Sequence, residues 1–159
     1  MYFKMRKIIL LFVFSVFLLG CKSNPATKLD MKSEVALKGN WLITNVSYPG
    51  SDYIKVTSFN IAEAQCFIGS QWKFVSNNNT GEMALNNSKC TVYGSHITWF
   101  INKEGNVVLK FLTEGVKAKH TTSGYVLKVA NISENSFQLI DTINVGNKPT
   151  EVVYQFSRI

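Results

Sequence analysis

The sequence predicts an all-β domain of eight to ten short antiparallel strands, folded as one sandwich or barrel. Three observations carry this. From residue 39 onward, apolar side chains recur at every second position in short runs, the period of a half-buried strand. Clusters of Asn and Gly punctuate those runs, at 77–81, 102–106 and 146–149. The intervals between them leave no room for the crossover helices that a parallel sheet requires. At 159 residues the chain is long enough for one domain with a real core.

The elements follow in order. Residues 40–47 alternate around Trp41, Ile43 and Val46, and residues 53–59 form a second apolar-rich run. Residues 61–65 suit a helical turn ahead of Cys66. Residues 71–75 put Trp72 and Phe74 on one face, and after the 77–81 turn residues 82–86 do the same with Met83 and Leu85. Ile97, Trp99 and Ile101 share a face of 95–101, and Val107, Leu109 and Phe111 share a face of 107–112. Tyr125, Leu127 and Val129 line up in 124–130, and Phe137 and Leu139 in 136–143. The last run, 151–159, aligns Val152, Tyr154, Phe156 and Arg158. So many adjacent strands gain from full closure, because a barrel has no exposed edges.

Ahead of these strands the chain reads as a targeting segment. Lys4, Arg6 and Lys7 make a basic start, and residues 8–19 are an almost unbroken apolar stretch. That stretch is shorter than the roughly 20 residues a membrane-spanning helix needs, and it suits the core of a signal peptide. It ends in Leu18-Leu19-Gly20-Cys21, which resembles the lipobox of bacterial lipoproteins. The resemblance implies cleavage before Cys21, a diacylglyceryl group on its thiol, and anchoring by acyl chains worth about 0.8 kcal/mol per buried methylene. The expected organisation is a removed signal peptide over 1–20, a lipidated tether over 21–36 and a barrel domain over 37–159. The tether is polar and contains Pro25. Lys22-Ser23-Asn24 is not the acidic run that sends some lipoproteins to the cell surface. The expectation is therefore a bacterial-envelope protein, held by lipid on the outer membrane and facing the periplasm.

Three of the chain's +7 formal charges belong to residues 1–20, leaving +4 spread along the rest. A nucleic-acid surface would gather its basic residues into one patch, so no nucleic-acid partner is expected. With Cys21 assigned to lipid, Cys66 and Cys90 remain. In an oxidising compartment two such cysteines pair. A metal site or a reactive thiol are the alternatives, but there is no CxxC and the only histidines are His96 and His120.

Gly39-Asn40-Trp41 heads the first strand, and Tyr154-Gln155-Phe156-Ser157-Arg158 ends the last. With Cys66–Phe74, Ile97–Phe100 and Ser123–Leu127, these segments resemble the small lipocalin-like lipoproteins of Gram-negative envelopes, over about residues 37–159. The resemblance implies an up-and-down barrel whose floor Trp41 closes, with Arg158 packed over the indole. The long C-terminal helix of larger lipocalins is missing from the pattern. A fold of this kind carries no settled activity.

No catalytic motif is present: there is no Gly-x-Ser-x-Gly, Walker loop, dinucleotide fingerprint or HExxH. No enzyme, metal or cofactor is therefore expected, and His96 and His120 read as structural or exposed. The aromatic stripe of Trp72, Phe74, Trp99, Phe111, Tyr125 and Phe137 is assigned to the barrel interior. Those rings either line a pocket for a small hydrophobic or lipid-like ligand or simply fill the barrel. Lys117, Lys119 and His120, in the 113–122 loop, either guard a barrel mouth or are solvated. Two functions stay open: a membrane-anchored binding protein, or an accessory lipoprotein whose packed barrel contacts an envelope protein partner. An empty apolar interior favours the first, and a packed interior with an exposed apolar patch the second.

Overall fold

The structure is a computed structural model, and it describes residues 34–51, 54–112 and 124–159. Ten strands follow the periodic runs: β1 (Gly39–Ser47), β2 (Thr57–Ser58), β3 (Ala62–Glu63), β4 (Gln71–Val75), β5 (Thr80–Leu85), β6 (Tyr93–Ile101), β7 (Asn106–Leu112), β8 (Tyr125–Ala130), β9 (Ser136–Val145) and β10 (Lys148–Arg158). Eight of them close a barrel in the order β1-β10-β9-β8-β7-β6-β5-β4, with β1 antiparallel to both β4 and β10. Every pairing is antiparallel and joins chain neighbours apart from the closing seam and the excursion before β4. This is the all-β, up-and-down closure that the run of short strands predicts.

The two-residue period holds with one exception, at a bulge in β1. The register against β10 shifts between Ile43 and Asn45. Thr44 and Asn45 both face out, and Val46 returns to the core. Asn residues at positive φ serve the turns, among them Asn79, Asn131 and Asn147. The β9–β10 hairpin turns on Gly146 and Asn147 alone (φ 56° and 64°), the geometry that matches the twist of the flanking strands. Lys148 and Pro149, expected in that turn, therefore belong to β10.

Two regions differ from expectation. The 53–59 run yields only the short β2, which pairs with β3 beside the barrel. The chain then makes a 3-10 helix at Ala64–Phe67. The reason lies at Phe59 and Asn60, both at φ 55°, where the backbone reverses so that the Phe59 ring enters the core. At the N-terminal side, residues 34–37 form a helical turn whose Leu37 is fully buried, so helical structure begins within the stretch read as tether. Residues 1–20, which the sequence reading assigns to a signal peptide, Cys21, and the segment that carries Lys117, Lys119 and His120 lie outside the described residues.

Candidate functional site

The barrel has two unlike ends, set by strand direction. At one end, here called the floor, β1 begins and β10 finishes. Trp41 pairs with Arg158 across the seam, and the Arg158 guanidinium carbon lies 4.2 Å from the centroid of the indole. The guanidinium also donates to the carbonyls of Glu134 (2.7 Å), Lys38 (3.2 Å) and Ala36 (3.4 Å). Trp41 Nε1 donates to Leu37 O at 2.8 Å. Gly39 makes the stack fit: it sits at φ 134°, and a Cβ there would lie 2.5 Å from an Arg158 nitrogen. The Gly-x-Trp pattern thus has a local cause, namely room for the arginine.

Above the floor the interior is packed with rings. Phe137 meets Trp41 edge-on at 4.6 Å and stacks on Phe156 at 4.5 Å. Phe74 lies 5.3 Å from Trp99 and 6.0 Å from Trp72. Trp72, Phe74, Trp99 and Phe137 are each no more than 2% exposed. The Trp72 and Trp99 ring N–H groups donate to Ser70 Oγ and Thr80 O. Gly81 lets the wall close on this layer, since a Cβ there would lie 2.1 Å from the Lys73 carbonyl oxygen. Of the six candidate lining residues, these four are held in close ring contacts.

The other two, Phe111 and Tyr125, sit at the upper end and are only half-buried. There the long β1–β4 connection folds inward. The Phe59 ring lies within 5.1–5.4 Å of Phe67, Phe111, Tyr125 and Tyr154. Cys66 is bonded to Cys90, with Cα atoms 5.9 Å apart, which ties this connection to the β5–β6 loop. Both thiols are consumed, as the count of cysteines suggested.

Polar groups gather beside Phe59. Tyr154 donates to Ser58 Oγ at 2.5 Å, and burial pushes its phenol pKa up. The hydroxyl of Tyr48, on a side chain 9% exposed, is buried with no hydrogen-bond partner. Asp141 lies on β9 opposite the fully buried Val152, between Leu139 and Ile143, two inward residues. Its carboxyl is half-buried, and burial raises its pKa against the opposing hydrogen bond from the Thr142 backbone. Tyr125 is raised by burial, then by the Asp141 charge, with a bond to Asn60 opposing. Phe59, Tyr48 and Asp141 were missed from sequence. The available signal for Asp141 was an acid in phase with Phe137 and Leu139.

His96, by contrast, faces outward. Its Nδ1 lies 3.7 Å from a Glu82 carboxylate oxygen, with both side chains mostly exposed. Clefts of about 380 and 420 Å³ over β4, β5 and β6 belong to this outer wall, lined by residues such as Gln71, Lys73, Glu82 and His96.

Fold and interior together define a closed eight-stranded up-and-down barrel with an aromatic core and a Trp–Arg floor. Among solved structures, the chain is similar to bovine odorant-binding protein in complex with a selenium-containing odorant. That match has 12% identity and a TM-score of 0.45, over 77% of this chain and 73% of that one. It is similar too to bovine odorant-binding protein with its natural ligand (14%, TM-score 0.43, 78% and 72%). Lobster apocrustacyanin A1 is a third (12%, TM-score 0.46, 88% and 72%). No protein-family model matches the chain, and no curated protein sequence matches it either.

Proposed function

We propose that the chain is a lipid-anchored, lipocalin-like binding protein of a bacterial envelope, and that it takes a small, partly apolar ligand at the upper end of the barrel. The observation that carries the reading is the contrast between the two ends. Floor and middle are filled by rings that exclude solvent, so a deep pocket for a long acyl chain has no space among them. The upper end instead combines half-buried rings with the unpartnered Tyr48 hydroxyl and the Asp141 carboxyl, the mixture of apolar walls and few polar groups typical of ligand sites.

The anchor part of the reading rests on Leu18-Leu19-Gly20-Cys21. Residue 34 leads into the floor end, so an anchor at Cys21 would join the barrel from that end. Native mass spectrometry of the protein extracted from its own membrane tests both parts. The expected spectrum shows an acylated chain carrying a small additional mass, and Cys21→Ser abolishes the acyl mass. A chain of unmodified mass, still bearing residues 1–20 and binding nothing, would refute it.

A second reading, contact with an envelope protein, is favoured by two features, the ring-filled lower and middle interior and an exposed apolar row. Phe100, Val108 and Val126 form a cross-strand row on the outside of β6, β7 and β8, with Phe100 and Val126 44% and 56% exposed.

A further inference from the structure

We infer that the upper end of the barrel recognises a small organic cation, an ammonium carried on an aromatic or short apolar body. Asp141 is the counter-charge, and the rings of Tyr48, Tyr125, Tyr154, Phe59 and Phe111 are the cup. This rests on the reading above, that this end binds a small ligand, and it names the ligand's chemistry.

Asp141 is the one acid on an inward face of the described barrel strands. Register places it there: Val152 opposite is fully buried, and Leu139, two residues away on the same face, is 2% exposed. Among the described residues no Lys, Arg or His forms an ion pair with it. A carboxylate taken partly out of water with no counter-charge among the described residues is costly, and burial raises the pKa of Asp141 despite the Thr142 backbone hydrogen bond. An uncharged residue would serve the barrel's stability better, so the position suits a counter-ion that arrives from outside.

The surroundings select the sign and shape of that ion. An ammonium has three donors and no acceptor. The acceptors on hand are the Asp141 carboxylate, the unpartnered Tyr48 oxygen and the phenol oxygen of Tyr154, which spends its proton on Ser58. The ring faces carry negative quadrupole charge, which attracts a cation and repels an anion. Neither a carboxylate ligand nor a plain hydrocarbon makes use of Asp141. Phe59 takes a left-handed backbone conformation and sets its ring in the wall of the cup, within 5.1–5.4 Å of Phe111, Tyr125 and Tyr154.

The test uses the full lipidated chain in nonionic detergent and three probes of one shape: 2-phenylethylamine, 2-phenylethanol and phenylacetate. Binding is read by calorimetry. The amine is expected to bind at least roughly tenfold more tightly than the alcohol, one such factor corresponding to about 1.4 kcal/mol, and the anion not at all. Asp141→Asn should erase the preference for the amine and leave the alcohol unchanged. Tyr48→Phe, which removes an unpaired hydroxyl and so spares the fold, should weaken the amine alone. Equal binding of amine and alcohol, insensitive to Asp141→Asn, would overturn the cation inference while leaving a neutral-ligand site standing. Failure of all three probes on a chain with native near-ultraviolet dichroism would overturn the inference and count against the binding reading too.

Discussion

Removal of the Arg158 guanidinium should cost the barrel about 2–3 kcal/mol, and the geometry says where that figure comes from. The guanidinium lies 4.2 Å from the Trp41 ring centroid on one side and is open to solvent on the other, so the cation–π part is worth about 0.5–1 kcal/mol. Three carbonyls accept from it, but only Glu134 at 2.7 Å is at a short distance. The bonds to Lys38 and Ala36 are longer, and together the three contribute about 1–2 kcal/mol. The side-chain methylenes that cover the indole add a few tenths more. For a domain of this size Arg158→Ala should then lower Tm by roughly 6–12 °C. Arg158→Lys keeps the charge but loses the planar fork, so it should recover less than half of the loss. Thermal and urea unfolding followed by Trp fluorescence would measure both. If Arg158→Ala unfolds within about 0.5 kcal/mol of the wild type, the Trp–Arg floor is decoration and the reasoning fails.

Three further outcomes follow from other parts of the molecule. Cys66→Ser with Cys90→Ser opens a loop of 24 residues' separation and should cost about 3–4 kcal/mol; an unchanged guanidinium midpoint, or no effect of reductant on the wild type, would contradict this. Asp141 has a raised pKa in the folded state, so its protonated form favours folding and its ionised form opposes it. Asp141→Asn should therefore raise the unfolding midpoint near pH 7, and the gain should shrink as the pH falls through the raised folded-state pKa and be gone once the pH is below the ordinary carboxylate value; a loss of stability near pH 7 would show that the carboxylate has a stabilising partner. Phe59→Ala should cost about 3–5 kcal/mol of burial and increase uptake of an apolar fluorescent probe. Phe59→Gly should be no less stable than Phe59→Ala, because glycine adopts φ 55° freely; a markedly less stable glycine variant would argue against backbone strain at this position.

Strand location was legible because a half-buried strand writes its two faces into alternate residues. Residues 71–75 show this plainly: Trp72 and Phe74 are buried between exposed Gln71 and Lys73. The floor was legible through resemblance and position, since Gly39-x-Trp41 opens the strand series and Arg158 ends it. Phe59 was not legible. Its run has strand composition, and only packing against Phe67, Phe111, Tyr125 and Tyr154 selects the left-handed turn that carries the ring inward. The bulge at Thr44 was invisible for a similar reason, as it exists to fit β10. Asp141 escaped because a search for catalytic groups looks for acids in pairs, and this one stands alone among apolar residues. Which of the six aromatic candidates are packed tightly and which reach the upper end depends on their height along the barrel. That coordinate comes from register, which composition does not record.

The pairing of β1 with β10 also governs how the molecule must come into being. Trp41 lies in the first barrel strand and its partner Arg158 in the last, so the closing contact joins the first strand to appear with the last. Until β10 emerges, the β10-facing edge of β1 offers unpaired peptide groups to any neighbouring chain. Local hairpins such as β9–β10 form at little entropic expense, whereas the seam must draw together almost the entire length of the domain. Closure of the barrel is thus a late event, behind the hairpins. A deletion of only a few C-terminal residues should leave a chain with most of its hairpins intact and no closed barrel.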